Sequence, residues 1–493
     1  MDILGRSLDL PPVLKWGAEG AALVIPCLYI GLLLGLYLFV SPAWAPAMAP
    51  RMYDNARLLQ LFVLVGASAA LILAAARSAI ASSWIALARP VQTLIAVFLG
   101  GAALSAVLSP VSQLGALHVA LTGLLLASFF LVCMAVRAFP AIEALLCTSL
   151  LAGAALVLLE FWTTFALHAF EGRAFSWVSP FLDFANVRFF SQYQAYALLI
   201  IPLAATVLPL RRGARLAVYL IAAGFWSLQF MVGTRAVWVG FGAATCVVPL
   251  LLRQGRLPWL RANLLPVLSG GLIYALFATL VLSQPSATPI PAKNSLLERS
   301  GESSEERKLL ARRAIQLIGD HPVMGVGPGQ FGFHYSDTPA AHPHNTPLQL
   351  LAEYGLVAGG AGLGLGVALV VFALRRVRQG SAHKLDTTTA TLSAALVMGL
   401  TDSLFSGNLT MPHSQVLLVV LAGWLVGRSQ RMRSVEPAVP SRALTTTLAG
   451  VALLCAAVTA ILALEYLHVI RDMPYPPQLR APNFWQYGRF DAW

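Results

Sequence analysis

The chain has 493 residues, of which 58% are hydrophobic and only 11% are charged, and its mean hydropathy is +0.74. Soluble globular chains carry about 25% charged residues, so this composition excludes a soluble enzyme, a disordered protein and a secreted disulfide scaffold. The formal net charge of +12 follows from basic residues gathered in the loops of a polytopic α-helical membrane protein, and does not call for nucleic acid as a partner.

Apolar runs fall near 17–40, 58–76, 91–108, 113–136, 140–161, 193–210, 216–232, 236–252, 263–283, 347–374, 388–406, 414–427 and 443–465. Most reach the roughly 18–20 residues that cross a bilayer. The run at 414–427 is short, and it and the last are the weakest of the set. Alternate loops carry Arg77 and Arg89, then Arg137, then Arg211, Arg212 and Arg215, then Arg253, Arg256 and Arg261, then Arg375, Arg376, Arg378 and Lys384, then Arg428, Arg431, Arg433 and Arg442. Together with Arg6 and Lys15, that side holds most of the basic residues, and long loops on the other side do not count toward the rule. The N-terminus is therefore expected in the cytoplasm, and the loop at about 284–346 outside. The five cysteines all lie in apolar runs and read as small buried hydrophobes.

Two external segments stand out. One, 162–192, carries Arg173, Asp183 and Arg188; the other, 284–346, holds four histidines (His321, His334, His342, His344) and a charged stretch from Glu298 to Arg313 that reads as a surface helix. These cuts give an organisation of N-terminal spans (1–283), a large outer loop (284–346), C-terminal spans (347–465) and a tail (466–493). The tail from Arg471 is rich in Pro, Tyr, Phe and Trp. It suits either the membrane interface, where aromatic rings settle, or an unstructured end.

The chemistry-bearing stretch is His342-Pro343-His344-Asn345-Thr346-Pro347-Leu348-Gln349. Thr346 and Gln349 have the spacing of a capping box, with Pro347 at the first helical position. His344 is then held just ahead of a helix N-terminus, whose partial positive charge disfavours imidazolium and favours a nearby anion. The bland alternative is a pair of interfacial histidines. His342 and His344 stand in an extended segment, and with no cysteine or paired carboxylate beside them zinc is disfavoured.

Arg235, in Thr234-Arg235-Ala236-Val237-Trp238, and Arg188, in Asn186-Val187-Arg188-Phe189-Phe190, each stand between apolar runs on the outer side. Each is either a snorkelling turn residue or an anion clamp, since guanidinium pairs with phosphate in bidentate fashion. The glycines of His321-Pro322-Val323-Met324-Gly325-Val326-Gly327-Pro328-Gly329 either make turns or open amides toward an anion; the turn is favoured. No phosphate loop, dinucleotide fingerprint, zinc-protease helix or serine elbow is present in the sequence. A group transfer on the outer face needs a donor that arrives activated, such as a lipid-linked diphosphate.

In order, Thr234-Arg235-x-x-Trp238, Glu306-Arg307, His321 to Phe331, and His344-Asn345 followed nine residues later by Gly355 resemble the O-antigen ligase and polymerase superfamily of bacterial membrane glycosyltransferases. The His-Asn to Gly spacing is most similar to the ligase branch. The resemblance implies an all-α inner-membrane bundle of about twelve spans, thirteen if the last run counts, with both ends inside in the usual case and a periplasmic loop bearing short helices. It implies transfer of O-antigen polysaccharide from undecaprenyl diphosphate to lipid A–core oligosaccharide at the periplasmic face, with no cofactor and no metal, and inversion at the anomeric carbon. His344 would be the general base, Arg235, Arg307, Arg188 and Arg312 would hold the donor diphosphate, and His342 and Asn345 would support them. A polymerase or a protein-directed oligosaccharyltransferase of the same superfamily is the next reading. A lipid-linked glycan transporter is a different class, disfavoured because Glu143, Glu160, Asp402 and Glu465 are few and sit near the ends of their runs.

Overall fold

The computed structural model describes residues 18–41, 48–49, 52–172, 181, 184–252, 254–282, 302–334, 340–380, 386–432, 439–471 and 484–485. Among them there is no strand. The helices are α1 (Ala18–Val40), α2 (Met52–Ser68), α3 (Ala74–Ile85), α4 (Arg89–Leu108), α5 (Ser112–Ala138), α6 (Ala141–Phe170), α7 (Val187–Ala197), α8 (Ala204–Val207), α9 (Arg212–Val232), α10 (Arg235–Leu251), α11 (Arg256–Leu282), α12 (Glu302–Asp320), α13 (Thr346–Gly380), α14 (Thr387–Asp402), α15 (Pro412–Met432) and α16 (Arg442–Arg471). Every apolar run of the sequence is helical, and ten helical segments are long and apolar enough to cross a membrane. The protein is an all-α, multi-pass membrane protein. Arg173 and Asp183, and the start of the charged stretch at 298–301, lie outside the described residues.

Three runs differ from their sequence outline. The run at 58–76 ends in a 3₁₀ turn, Ala69–Ile72, and the extended backbone of Leu73 (φ −81°, ψ 128°) separates it from the short α3. The run at 193–210 is broken between α7 and α8 by a 3₁₀ turn at Ile201–Leu203. Pro202 sits in that turn and has no N–H to continue the helical ladder. The short run at 414–427 belongs to a full helix of 21 residues. α10 is apolar but shorter than those ten segments.

Small residues set the packing distances, as expected where lipid removes the hydrophobic drive between helices. A Cβ on Gly423 or Gly427 of α15 would lie 2.6 Å from the carbonyl oxygen of Phe129 or 2.4 Å from that of Cys133, so α15 seats directly on the backbone of α5. The Gly359 to Gly364 run serves the same purpose on one face. Ala358, Gly362 and Gly364 meet Gly101, Phe98 and Leu94 of α4.

At the end opposite the α12 loop, one arginine ties three elements. Arg428 donates to Glu143 Oε2 (2.6 Å) and to Asp386 Oδ1 (3.0 Å), and Arg431 also pairs with Glu143. Burial pushes the Asp386 carboxyl up, but Arg428 and the Thr389 hydrogen bonds outweigh it and hold it below the usual carboxylate range. Glu143, one of the few ionisable residues of the runs, is therefore a structural partner. Breaking a buried pair strands the remaining charge at a cost of about 3–5 kcal/mol. Arg428→Ala is expected to lower the melting temperature of the detergent-solubilised protein clearly, and Arg442→Ala, whose side chain is exposed, to leave it within error.

Candidate active site

The site is organised by a break in α13. Gly355 has φ +74° and ψ 177°, a conformation essentially confined to glycine. A Cβ there would sit 2.2 Å from the carbonyl oxygen of Val323. The break frees backbone groups that would otherwise bond within the helix, and the loop after α12 takes them up. Val326 N–H donates to Ala352 O (2.9 Å), Gly327 N–H to Glu353 O (2.9 Å), and Leu356 N–H to Pro322 O (2.8 Å). The buried carboxylate of Glu353 accepts from Gly329 N–H (3.0 Å), Phe331 N–H (3.5 Å) and Gln349 Nε2 (3.4 Å).

From the other side, Ser105 Oγ donates to Met324 O (2.6 Å), while Gln330 Nε2 donates to Ser109 Oγ (2.6 Å) and Val111 O (2.9 Å). Gly325, Gly327 and Gly329 all have positive φ, which is what the turn reading requires. The amides of Gly325, Val326, Gly327, Gly329, Gln330 and Phe331 are all engaged within the protein. The loop is a fastened turn, and it offers no cradle of open amides to an anion. On this loop lies α12, whose Leu310, Ala314 and Leu317 pack with Val326, Phe331 and Ala352.

The histidine segment differs from its sequence outline in two ways. α13 begins at Thr346, and its cap is Asn345, whose Oδ1 accepts from Leu348 N–H (2.9 Å). Asn is a stronger N-cap than Thr, and the Thr346 N–H is already committed to Ser403 O (3.0 Å). Gln349 reaches Glu353 instead of closing a capping box. Asn345 Nδ2 donates to Leu404 O (2.8 Å), so the start of α13 is tied to the corner after α14.

The second difference is at His344, which has φ +52°. The His342 and His344 ring centroids are 4.3 Å apart in a T-shaped contact. His342 is fully buried, lies on Gly407 and has neither ring nitrogen hydrogen-bonded. A Cβ on Gly407 would fall 2.0 Å from its Nε2.

Arg188 and Arg307 act on this segment from separate elements, and Arg235 acts on Arg307 from a third. Arg188 lies in the first turn of α7, whose start is capped by Asn186 Oδ1 accepting from the Arg188 N–H (2.8 Å). Arg235 opens α10, and Arg307 is on α12. All three are exposed. Arg307 is pulled below the usual arginine range by partial desolvation and by the charges of Arg188 and Arg235, against the support of Asp402. His344 is held well below the usual imidazole range, first by burial, then by His342, Arg188 and Arg307. Burial alone pushes His342 down to about 4. Arg312 is exposed further along α12, and its charge acts on Glu305.

Two carboxylates near the site were not singled out for it by the sequence. Glu353 is hidden inside an apolar run. Asp402, read only as a span-end charge, is fully buried, accepts from Ser406 Oγ (2.5 Å) and Asn408 Nδ2 (2.9 Å), and leaves Oδ1 without a hydrogen bond.

Residues 197–361 match the family model described as O-antigen ligase. The match supports the O-antigen ligase superfamily through this segment alone. A search of curated proteins finds no match. The matched segment runs from the end of α7 to just past the Gly355 break in α13, and so contains Arg235, Arg307, His342, His344, Glu353 and Gly355. The match supports a membrane glycosyltransferase of the ligase and polymerase type. The break in the O-antigen ligase segment gives a direct check. Gly355→Ala is expected to depress folded yield and melting temperature, because both φ and the Val323 carbonyl oppose a Cβ. Gly360→Ala, where a Cβ meets nothing within 4 Å, is expected to behave as wild type.

Proposed function

We propose that the protein is an inverting glycosyltransferase that moves O-antigen polysaccharide from undecaprenyl diphosphate to the lipid A–core oligosaccharide, at the periplasmic face of the bacterial inner membrane. The observation that carries this reading is a partly buried imidazole whose proton affinity is lowered by burial and by Arg188 and Arg307, with Arg235 acting on Arg307 from a third element. A sugar hydroxyl is a poor nucleophile at neutral pH, and a positioned base removing its proton contributes about 10²–10⁴-fold. His344 is that base: it takes the acceptor proton as the oxygen attacks the anomeric carbon, the bond to the diphosphate oxygen breaks, and the configuration inverts. The leaving undecaprenyl diphosphate carries the negative charge into the field of Arg188, Arg235 and Arg307. Preorganised cations at developing charge commonly supply the largest single term in catalysis.

The charges also couple the two roles. With no donor bound, the arginines and burial disfavour imidazolium, so His344 stays unprotonated and available. A bound diphosphate offsets that positive field and raises the proton affinity of His344 when the acceptor proton must be received. Asn345 contributes by capping α13, and His342 by packing against the base.

Complementation of a ligase-null strain tests the assignment. Wild type is expected to restore the capped lipopolysaccharide ladder, and His344→Ala and Arg235→Ala to leave bare core at normal membrane expression. A ladder with His344→Ala would sink the mechanism. The pH dependence gives a second check. The acid limb of kcat/KM reports the free enzyme, so it is expected well below the ordinary imidazole range in wild type. In Arg188→Gln, loss of one depressing charge is expected to move that limb to higher pH, alongside a fall in kcat/KM.

A further inference from the structure

The residues Phe484 and Trp485, distant in sequence from every element of the site, are both fully buried inside the helical bundle. Trp485 stacks face to face on Tyr466 of α16, with centroids 3.9 Å apart and an interplanar angle of 3°. Tyr466 in turn donates its hydroxyl to Asp54 of α2 (2.8 Å). The Phe484 carbonyl accepts from Arg57 Nε (2.9 Å), and the Arg57 guanidinium lies 4.9 Å from the Phe484 ring centroid. Arg57 is itself buried, and its other nitrogens donate to Gln60, Gln415, Tyr53 and Thr410 O. Withdrawing Phe484 would therefore leave the Nε–H of a buried guanidinium without its acceptor, which adds to ring packing in holding the aromatic pair in place.

The pair also has an outlet toward the site. The Phe484 ring meets His118 of α5 edge-on, at 5.0 Å between centroids. His118 lies against Gly329, where a Cβ would fall 2.1 Å from its Nε2. Gly329 is the residue whose amide Glu353 captures. A contiguous path thus runs from Trp485 and Phe484 through His118 to the glycine loop, and from that loop to α12, which carries Arg307. The loop is gripped by Glu353 on one side and backed by His118 on the other.

We propose that Phe484 and Trp485 are positioning residues of the site, a wedge that backs the glycine loop through His118 and so fixes the placement of α12 and Arg307. The consequence for transfer rests on the function proposed above; the consequence for the loop does not. The test is hydrogen–deuterium exchange on the full-length protein in detergent, comparing wild type with Phe484→Ala/Trp485→Ala and with His118→Ala. Both variants are expected to lose about tenfold or more of the protection at the amides of residues 325–331, with the amides of α5 and α15 unchanged. The double substitution Phe484→Tyr/Trp485→Phe, which keeps the rings, is expected to retain it.

His118→Ala leaves the Tyr466 stack and the Arg57 bond in place, so it decides the matter even if loss of both rings unfolds the bundle. Full loop protection in His118→Ala would overturn the proposal. So would a loss spread evenly over the bundle in a His118→Ala protein, which is the pattern of general destabilisation. In transfer assays the same variants are expected to lower kcat by about tenfold with KM for the donor changed much less, the signature of lost placement with binding groups retained. A loosened loop alongside an inactive wild type would leave the wedge standing and reject the ligase reading instead.

Discussion

The site depends on a helix that stops bonding to itself. Inside a membrane every backbone N–H and C=O must find a partner, and irregular backbone is tolerated only where protein supplies one. At Gly355 the α13 ladder is interrupted and the loop after α12 fills the gap with the bonds at Val326, Gly327 and Leu356. The exchange is reciprocal. The loop, made of glycines with positive φ, would have no reason to adopt a single shape without the broken helix, and the helix could not break without the loop. Glu353 adds its carboxylate to the same joint. The buried carboxylate is compensated by backbone amides, so the joint requires no cation, and cations remain for the surface facing His344.

The distribution of charge around the histidines follows from that economy. Arg428 and Arg431, at the far end of the bundle, are matched by Glu143 and Asp386 and act as fasteners. At the site end, Arg188 and Arg307 have no carboxylate within ion-pair distance among the described residues, and their field reaches His344. Two groups of arginines in one protein thus have opposite electrostatic surroundings. Burial lowers the imidazole's proton affinity, and the unmatched cations lower it further, so the two effects act in the same direction.

Much of this was legible in the sequence because the signals were long or steep. Thirteen apolar runs survive as helices because length and hydropathy dominate any local preference, Arg188 and Arg235 were conspicuous as arginines in short loops expected on the outer side, and Arg307 was suggested by the family resemblance. What escaped the sequence was governed by single backbone angles or by contacts between distant segments. The cap of α13 moved one residue because Ser403 claims the Thr346 amide. His344 leaves the extended backbone for φ +52°, which no local pattern announces. Glu353 was invisible inside an apolar run, since its partners are amides more than twenty residues away. The burial of Phe484 and Trp485 depends on Arg57, more than four hundred positions earlier, and neither the interfacial nor the unstructured reading of the tail describes that pair.

The grouping of Arg188, Arg235 and Arg307 carries a consequence for turnover. On the proposed reading, the groups that stabilise the departing diphosphate remain around it after the bond has broken, and nothing in the chemistry weakens their hold. Product escape is then slowed by the very contacts that speed the transfer, a situation in which release and not bond-making sets the rate. Such an enzyme would run at the pace at which spent carrier lipid is drawn away from it, so its throughput would be governed by the capacity of the surrounding membrane to recycle that carrier.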